Sequence, residues 1–118
     1  MKIGDTAALT RTFSDADMTA WMALAGQPAG AGVPRPLIAA LFSKLLGVEL
    51  PGPGTNYLKQ DIEWLAEASL GAVLEARVTI TRLRPEKHLV DLETVCRIRG
   101  GAEICRGRAL VYVEDVGA

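Results

Sequence analysis

Few residues in this chain could move a proton or attack a carbonyl near neutral pH. His88 is the single histidine, and the thiols number two, Cys96 and Cys105. His88 directly follows Arg84-Pro85-Glu86-Lys87, which reads as a turn between two strands. Its simplest role there is that of a solvated turn residue; a functional one would require a partner chain. The cysteines are too few and too plainly spaced for a disulfide scaffold or a four-ligand zinc site, so no metal is expected. They flank Gly100-Gly101 symmetrically. A two-residue hairpin turn would set them opposite each other, about 4.5 Å apart at Cα if the pair is not hydrogen-bonded. That spacing permits a disulfide, but with both side chains pointing into the core of a cytoplasmic protein, two reduced, packed thiols are expected. Asp61 and Glu63 fall on the polar side of an alternating run, where carboxylates meet solvent or a cross-strand arginine more often than a substrate.

The elements that must position these residues are legible from periodicity. Ala7 to Phe13 suits a first strand. Ser14 then starts a helix as N-cap, with Asp15 and Asp17 favoured by the helix dipole. Met18, Trp21, Met22 and Ala25 recur on one helical face, and Gly26 suits the left-handed residue that ends it. From Gln27 to Pro36 prolines and glycines deny helix and strand alike. Leu37 to Leu46 is apolar nearly all round, with Pro36 suited to the first turn and Gly47 to the C-cap, and reads as a centrally buried helix.

After Pro51-Gly52-Pro53-Gly54 the period changes to two. Asn56 to Leu65 places Leu58, Ile62 and Trp64 inward against Lys59, Asp61 and Glu63. Val73 to Leu83 does the same with Leu74, Ala76, Val78 and Ile80. Val90, Leu92, Thr94, Cys96 and Ile98 share one face of a further strand, and Cys105, Ala109, Val111 and Val113 share one face of the last. The connections are short, which favours antiparallel neighbours. The expected fold is α+β: one domain, 1–118, in which an antiparallel sheet of about five strands wraps a hydrophobic helix at about 37–46.

Composition narrows the role. Thirteen basic residues are dispersed among fourteen acidic ones for a net charge of −1, which leaves no basic field for nucleic acid. The start lacks the apolar run of a signal peptide, and the longest apolar stretch, Leu37 to Phe42, is far short of a membrane span. A cytoplasmic location is expected.

The helix ending in Leu45-Leu46-Gly47, the run Glu49-Leu50-Pro51-Gly52-Pro53-Gly54-Thr55-Asn56-Tyr57-Leu58 and the meandering strands closely resemble the (R)-specific enoyl-CoA hydratases of the MaoC-like hotdog family. The opening Ile3-Gly4-Asp5, the run Phe13-Ser14-Asp15-Ala16-Asp17 and the closing Gly107-Arg108-Ala109-Leu110-Val111 also resemble it, so the likeness extends over most of the chain. In that family Asp-x-Asn-Pro-x-His activates the water that adds across an enoyl thioester, and a backbone N–H steadies the enolate oxygen. Here the motif is absent. Gln27 stands where the catalytic Asp would be, the histidine-bearing insertion is missing, and Pro34-Arg35-Pro36 replaces the His-Gly-Met that precedes the helix. Neither Gln27 nor Arg35 can act as a base near neutrality.

The resemblance implies a substrate region at Gln27, Arg35, Leu37, Tyr57 and Lys59, with no catalytic residue and no cofactor assigned. Lys59 replaces a glycine usual beside the substrate channel. Arg35 and Lys59 could therefore hold a phosphate or carboxylate, or simply reach solvent with their stems on apolar surface. The function implied is binding of an acyl thioester, on CoA or acyl carrier protein, by a homodimer or by the non-catalytic partner of a catalytic hotdog subunit. The alternative is an enzyme, hydratase or thioesterase, whose acid–base group is Asp61, Glu49 or a residue of a second chain. A structural dimer with a filled tunnel is the third reading.

Overall fold

Ser14 does what its position demands. Its hydroxyl accepts from the Asp17 N–H and the Asp17 carboxylate accepts from the Ser14 N–H at 2.7 Å, a complete capping box. In the computed structural model, which describes residues 1–26 and 32–114, this cap opens α1 (Asp15–Ala25), and Gly26 closes it at φ 72°. A strand precedes it, β1 (Thr6–Arg11), and α2 (Arg35–Lys44) follows, continued by a π-helical turn (Leu45–Glu49). Four strands complete the chain: β2 (Asn56–Trp64), β3 (Leu74–Arg84), β4 (Leu89–Ile98) and β5 (Glu103–Tyr112). They join β1 in one antiparallel sheet, order β1-β3-β4-β5-β2.

The core lies between the sheet and α2. Leu74, Ala76, Val78 and Ile80 of β3 and Val90, Leu92, Thr94 and Cys96 of β4 are all buried, as their alternation requires, against Ile38, Phe42, Leu45 and Leu46. The helix begins at Arg35, earlier than the expected Leu37, because Pro34 serves as N-cap and Pro36 occupies the first turn, where its missing N–H costs nothing. Its α-geometry stops at Lys44, and Gly47 falls inside the π-turn instead of capping the helix. Nor is α2 buried all round. Arg35, Pro36, Ala40, Ser43 and Lys44 are exposed, since one sheet can cover only one side of a helix.

The strands depart from the expected pattern at two places. β1 ends at Arg11, so Phe13 leaves the strand and turns into the core. In β2 a bulge at Leu58 changes the phase: Tyr57 pairs with Val111 while Lys59 pairs with Leu110. Leu58 is therefore 55% exposed instead of inward, and Tyr57 and Gln60 take the core side with Ile62 and Trp64. At the Gly100-Gly101 hairpin, Ile98 pairs back to Ala102 across three residues, not two, and a register shift beyond it restores Cys96 opposite Cys105. The opposition of the thiols thus holds by a different route. Both are buried and free.

Candidate functional site

The chain enters α2 along a tightly guided path. The Val33 N–H donates to the Ala68 carbonyl at 2.8 Å, and a Cβ on Gly32 would lie 2.6 Å from that same oxygen, so only glycine allows the approach. This pins the entrance of α2 against the segment leaving β2. Between them is a pocket of about 180 Å³, walled by Val33, Arg35, Ile38, Trp64, Glu67 and Ala68. The Arg35 guanidinium lies over the Trp64 ring, 5.1 Å from its centroid. That distance is within the range of a cation–π contact. Glu67 is the carboxylate on this pocket, and no sequence pattern marked it: it follows the end of β2 in an irregular stretch and comes near Arg35 only through the Gly32–Ala68 approach.

The other residues singled out do not converge here. Gln27 lies outside the described residues. Leu37 faces a separate groove of about 360 Å³ between α1 and α2, with Phe13, Trp21, Leu24 and Leu41 along it and Lys44 at its rim. Tyr57 is near the far end of β2, where its hydroxyl donates to the Gln60 side-chain oxygen. Burial pushes the Tyr57 phenol up to about 12, so it remains protonated at neutral pH. Gln60 passes the link on, its amide donating to the Thr94 hydroxyl at 3.0 Å and to the Asp61 carbonyl at 2.9 Å. Thr94 is the fully buried polar residue of the sheet, and this clamp from β2 across β5 to β4 satisfies it.

Lys59 and Arg35 cannot share one anion. Five residues of strand, about 17 Å at the usual rise, separate Lys59 from Trp64. Lys59 also keeps the outer face that its alternation with Asp61 and Glu63 predicts, beside Asp61, Arg84 and Arg108, while Arg35 is on the core side. Asp61 shares that outer face opposite Arg108, and Glu49 is exposed on the π-turn beyond the other end of α2. His88 caps the turn between β3 and β4 at φ 57°. It is half-buried, not freely solvated: its Nδ1 is 2.8 Å from the Glu114 carbonyl oxygen, and its ring tilts against Tyr112. That row of the sheet, Leu89–Tyr112–Asn56, is at the opposite end from Trp64, about 26 Å along β2. Among the described residues no cluster of three or more His, Cys, Asp or Glu could hold a metal ion, and no helix is long and apolar enough to cross a membrane.

No protein-family model matches the chain. Individual relatives do. An (R)-specific enoyl-CoA hydratase of Aeromonas caviae is 34% identical, with 94% of each chain covered, and one of Rhodospirillum rubrum is 32% identical over 99% of this chain and 91% of its own. The solved structure of the A. caviae (R)-hydratase involved in PHA biosynthesis superposes with a TM-score of 0.88, covering 96% of this chain and 97% of that one at 31% identity. The ChsH1–ChsH2 complex of Mycobacterium tuberculosis shares the fold at 10% identity, TM-score 0.76, covering 95% of this chain and 98% of that one. The fold is thus a hotdog. The chain belongs to the (R)-specific enoyl-CoA hydratase family.

Proposed function

We propose that this family member binds an acyl thioester, carried by CoA or acyl carrier protein, without hydrating it, as a binding protein or as the non-catalytic half of a hotdog dimer. The observation that carries the reading is the charge content of the α2 entrance. Water addition to an enoyl thioester needs one group to take a proton from water and a proton to be delivered at Cα. The pocket supplies Arg35, which cannot give up its proton, and a single exposed carboxylate, Glu67. The segment from Gln27 to Ala31 contains no titratable side chain. The match to the R. rubrum hydratase spans 132 residues against a chain of 118, so it contains gaps on this chain's side, which supports a lost insertion. The groove bearing Leu37 supplies the apolar concavity that a binding role requires, and the smaller entrance pocket suits the end of a ligand more than its carrier. The proposed setting is the cytoplasm, where the buried thiols stay reduced.

Glu67 supports one second reading, a weak hydratase or thioesterase with that residue as its base; Asp61 and Glu49, facing elsewhere, do not fit it. Crotonyl-CoA hydration at high protein concentration, alongside native mass spectrometry for a co-purified acyl ligand, separates the two. A retained ligand without turnover is expected. Turnover that persists in Asp61→Ala and disappears in Glu67→Gln would replace the first reading with the second.

A further inference from the structure

The groove between α1 and α2 has two matched apolar walls. Ala20, Trp21 and Leu24 on α1, and Leu37, Ala40 and Leu41 on α2, recur at three- and four-residue spacing, so each set forms one stripe along its helix. The stripes enclose about 360 Å³, within the usual size of a small-molecule site. Phe13 and Leu41 close the floor at 4% and 7% exposure, whereas Leu24 stands at the lip 87% exposed. A large aliphatic side chain held in water beside an apolar groove gains stability from whatever covers both. Charge is confined to the rim. Arg11 pairs with Asp17 at 2.9 Å and lies over the Phe13 ring at 4.7 Å, so those two charges offset each other. Lys44, in the last turn of α2, has no ion pair among the described residues. The groove is therefore apolar along its length and positive where the α2 stripe ends. From Leu37 to Lys44 that wall runs about 10 Å at 1.5 Å per residue, roughly the extended length of an eight-carbon chain.

We propose that this groove binds a medium-chain fatty carboxylate, its hydrocarbon tail lying between the two stripes and its carboxylate at Lys44. The choice of an acyl tail rests on the acyl-binding function proposed for this chain; the free acid as ligand, and the α1–α2 groove as its site, go beyond it. The groove shares no lining residue with the α2-entrance pocket, so the two can be emptied or blocked independently.

Calorimetric titration of the full chain with octanoate, and in parallel with hexanoate, octan-1-ol and octanoyl-CoA, tests it. Saturable octanoate binding is expected, with hexanoate weaker by up to about fifteenfold, the scale of two methylenes at about 0.8 kcal/mol each. Octanol should bind about fivefold less tightly than octanoate, as one contact between unit charges in water implies, and Lys44→Gln should remove that difference. Ala40 is exposed, so Ala40→Phe adds a ring to the groove without entering the core and should end octanoate binding. In Trp64→Phe, where Trp21 is the remaining tryptophan, octanoate should move the emission to shorter wavelength. Octanoyl-CoA binding without octanoate binding would keep the thioester function and overturn this proposal; octanoate binding without octanoyl-CoA binding would do the reverse. Octanoate held equally well by Ala40→Phe, or an octanoate-to-octanol ratio unchanged in Lys44→Gln, would also overturn it. So would a chain that ignores octanoate but forms a dimer that Leu24→Glu dissociates, which would give the groove to a second copy.

Discussion

Gly107 is where the edge strand that walls the entrance pocket is most sensitive to a single atom. A Cβ built there would lie 1.7 Å from the Asp61 carbonyl oxygen, 2.7 Å from its carbonyl carbon and 3.0 Å from the Ile62 Cα. All three are backbone atoms of β2, so no rotamer change relieves the overlap. For Gly107→Ala, β2 must move away by more than about an ångström to reach ordinary contact, enough to break the neighbouring ladder hydrogen bonds. Overpacking of this kind costs about 1–3 kcal/mol, and two lost ladder bonds add about 1 kcal/mol each. Alanine recovers about 0.5–1 kcal/mol through its lower backbone entropy. A net loss of about 3 kcal/mol follows, or roughly 10–15 °C in Tm for a chain of this size. Urea unfolding gives the total, and amide exchange locates it: β2 amides from Lys59 to Trp64 should lose protection before those of β3 and β4, because β2 is paired on one side only, to β5. A variant within about 0.5 kcal/mol of the parent, with β2 exchange unchanged, would refute the reasoning.

Arg35→Ala should remove a cation–π contact worth about 0.5–1 kcal/mol and shift Trp64 fluorescence; an unchanged spectrum would mean the stack does not form in solution. Ser14→Ala should cost about 1 kcal/mol through loss of the Ser14 half of the α1 capping box, measured as a lower urea midpoint. Burial pushes the Cys96 thiol up to about 12, with the Cys105 charge adding to it, and burial likewise pushes Cys105 up to about 11, from an ordinary 9.0. Both folded values are raised, so the unfolded chain releases protons first. The stability they confer is complete below about pH 9 and declines as pH rises toward 11–12. Urea midpoints under reductant should fall between pH 8 and pH 10.5, and fall less in Cys96→Ala/Cys105→Ala; equal slopes would contradict the assignment.

The sequence by itself determined what depends on near neighbours. The Ser14 cap with its acidic first turn and the Gly26 ending need only a few consecutive residues. The inward set Leu74, Ala76, Val78 and Ile80 needs only the period of a strand. The family resemblance was legible because Leu50 to Leu58 and Gly107 to Val111 are contiguous runs. What lay beyond it was any relation set by register. The Leu58 bulge is decided by how β2 meets β5, and it alone turns Tyr57 to the core side, away from Lys59, which keeps the outer face beside Arg84 and Arg108 that its alternation with Asp61 and Glu63 predicts. Arg35, Trp64 and Glu67 are brought to one pocket by the backbone contact of Gly32 and Val33 with Ala68, a meeting of segments more than thirty residues apart. A periodic pattern specifies which side of its own strand a residue occupies. Only the packed structure decides which other strand's residues share that side, because cross-strand pairing is a non-local choice and one extra residue in a bulge reverses every face beyond it.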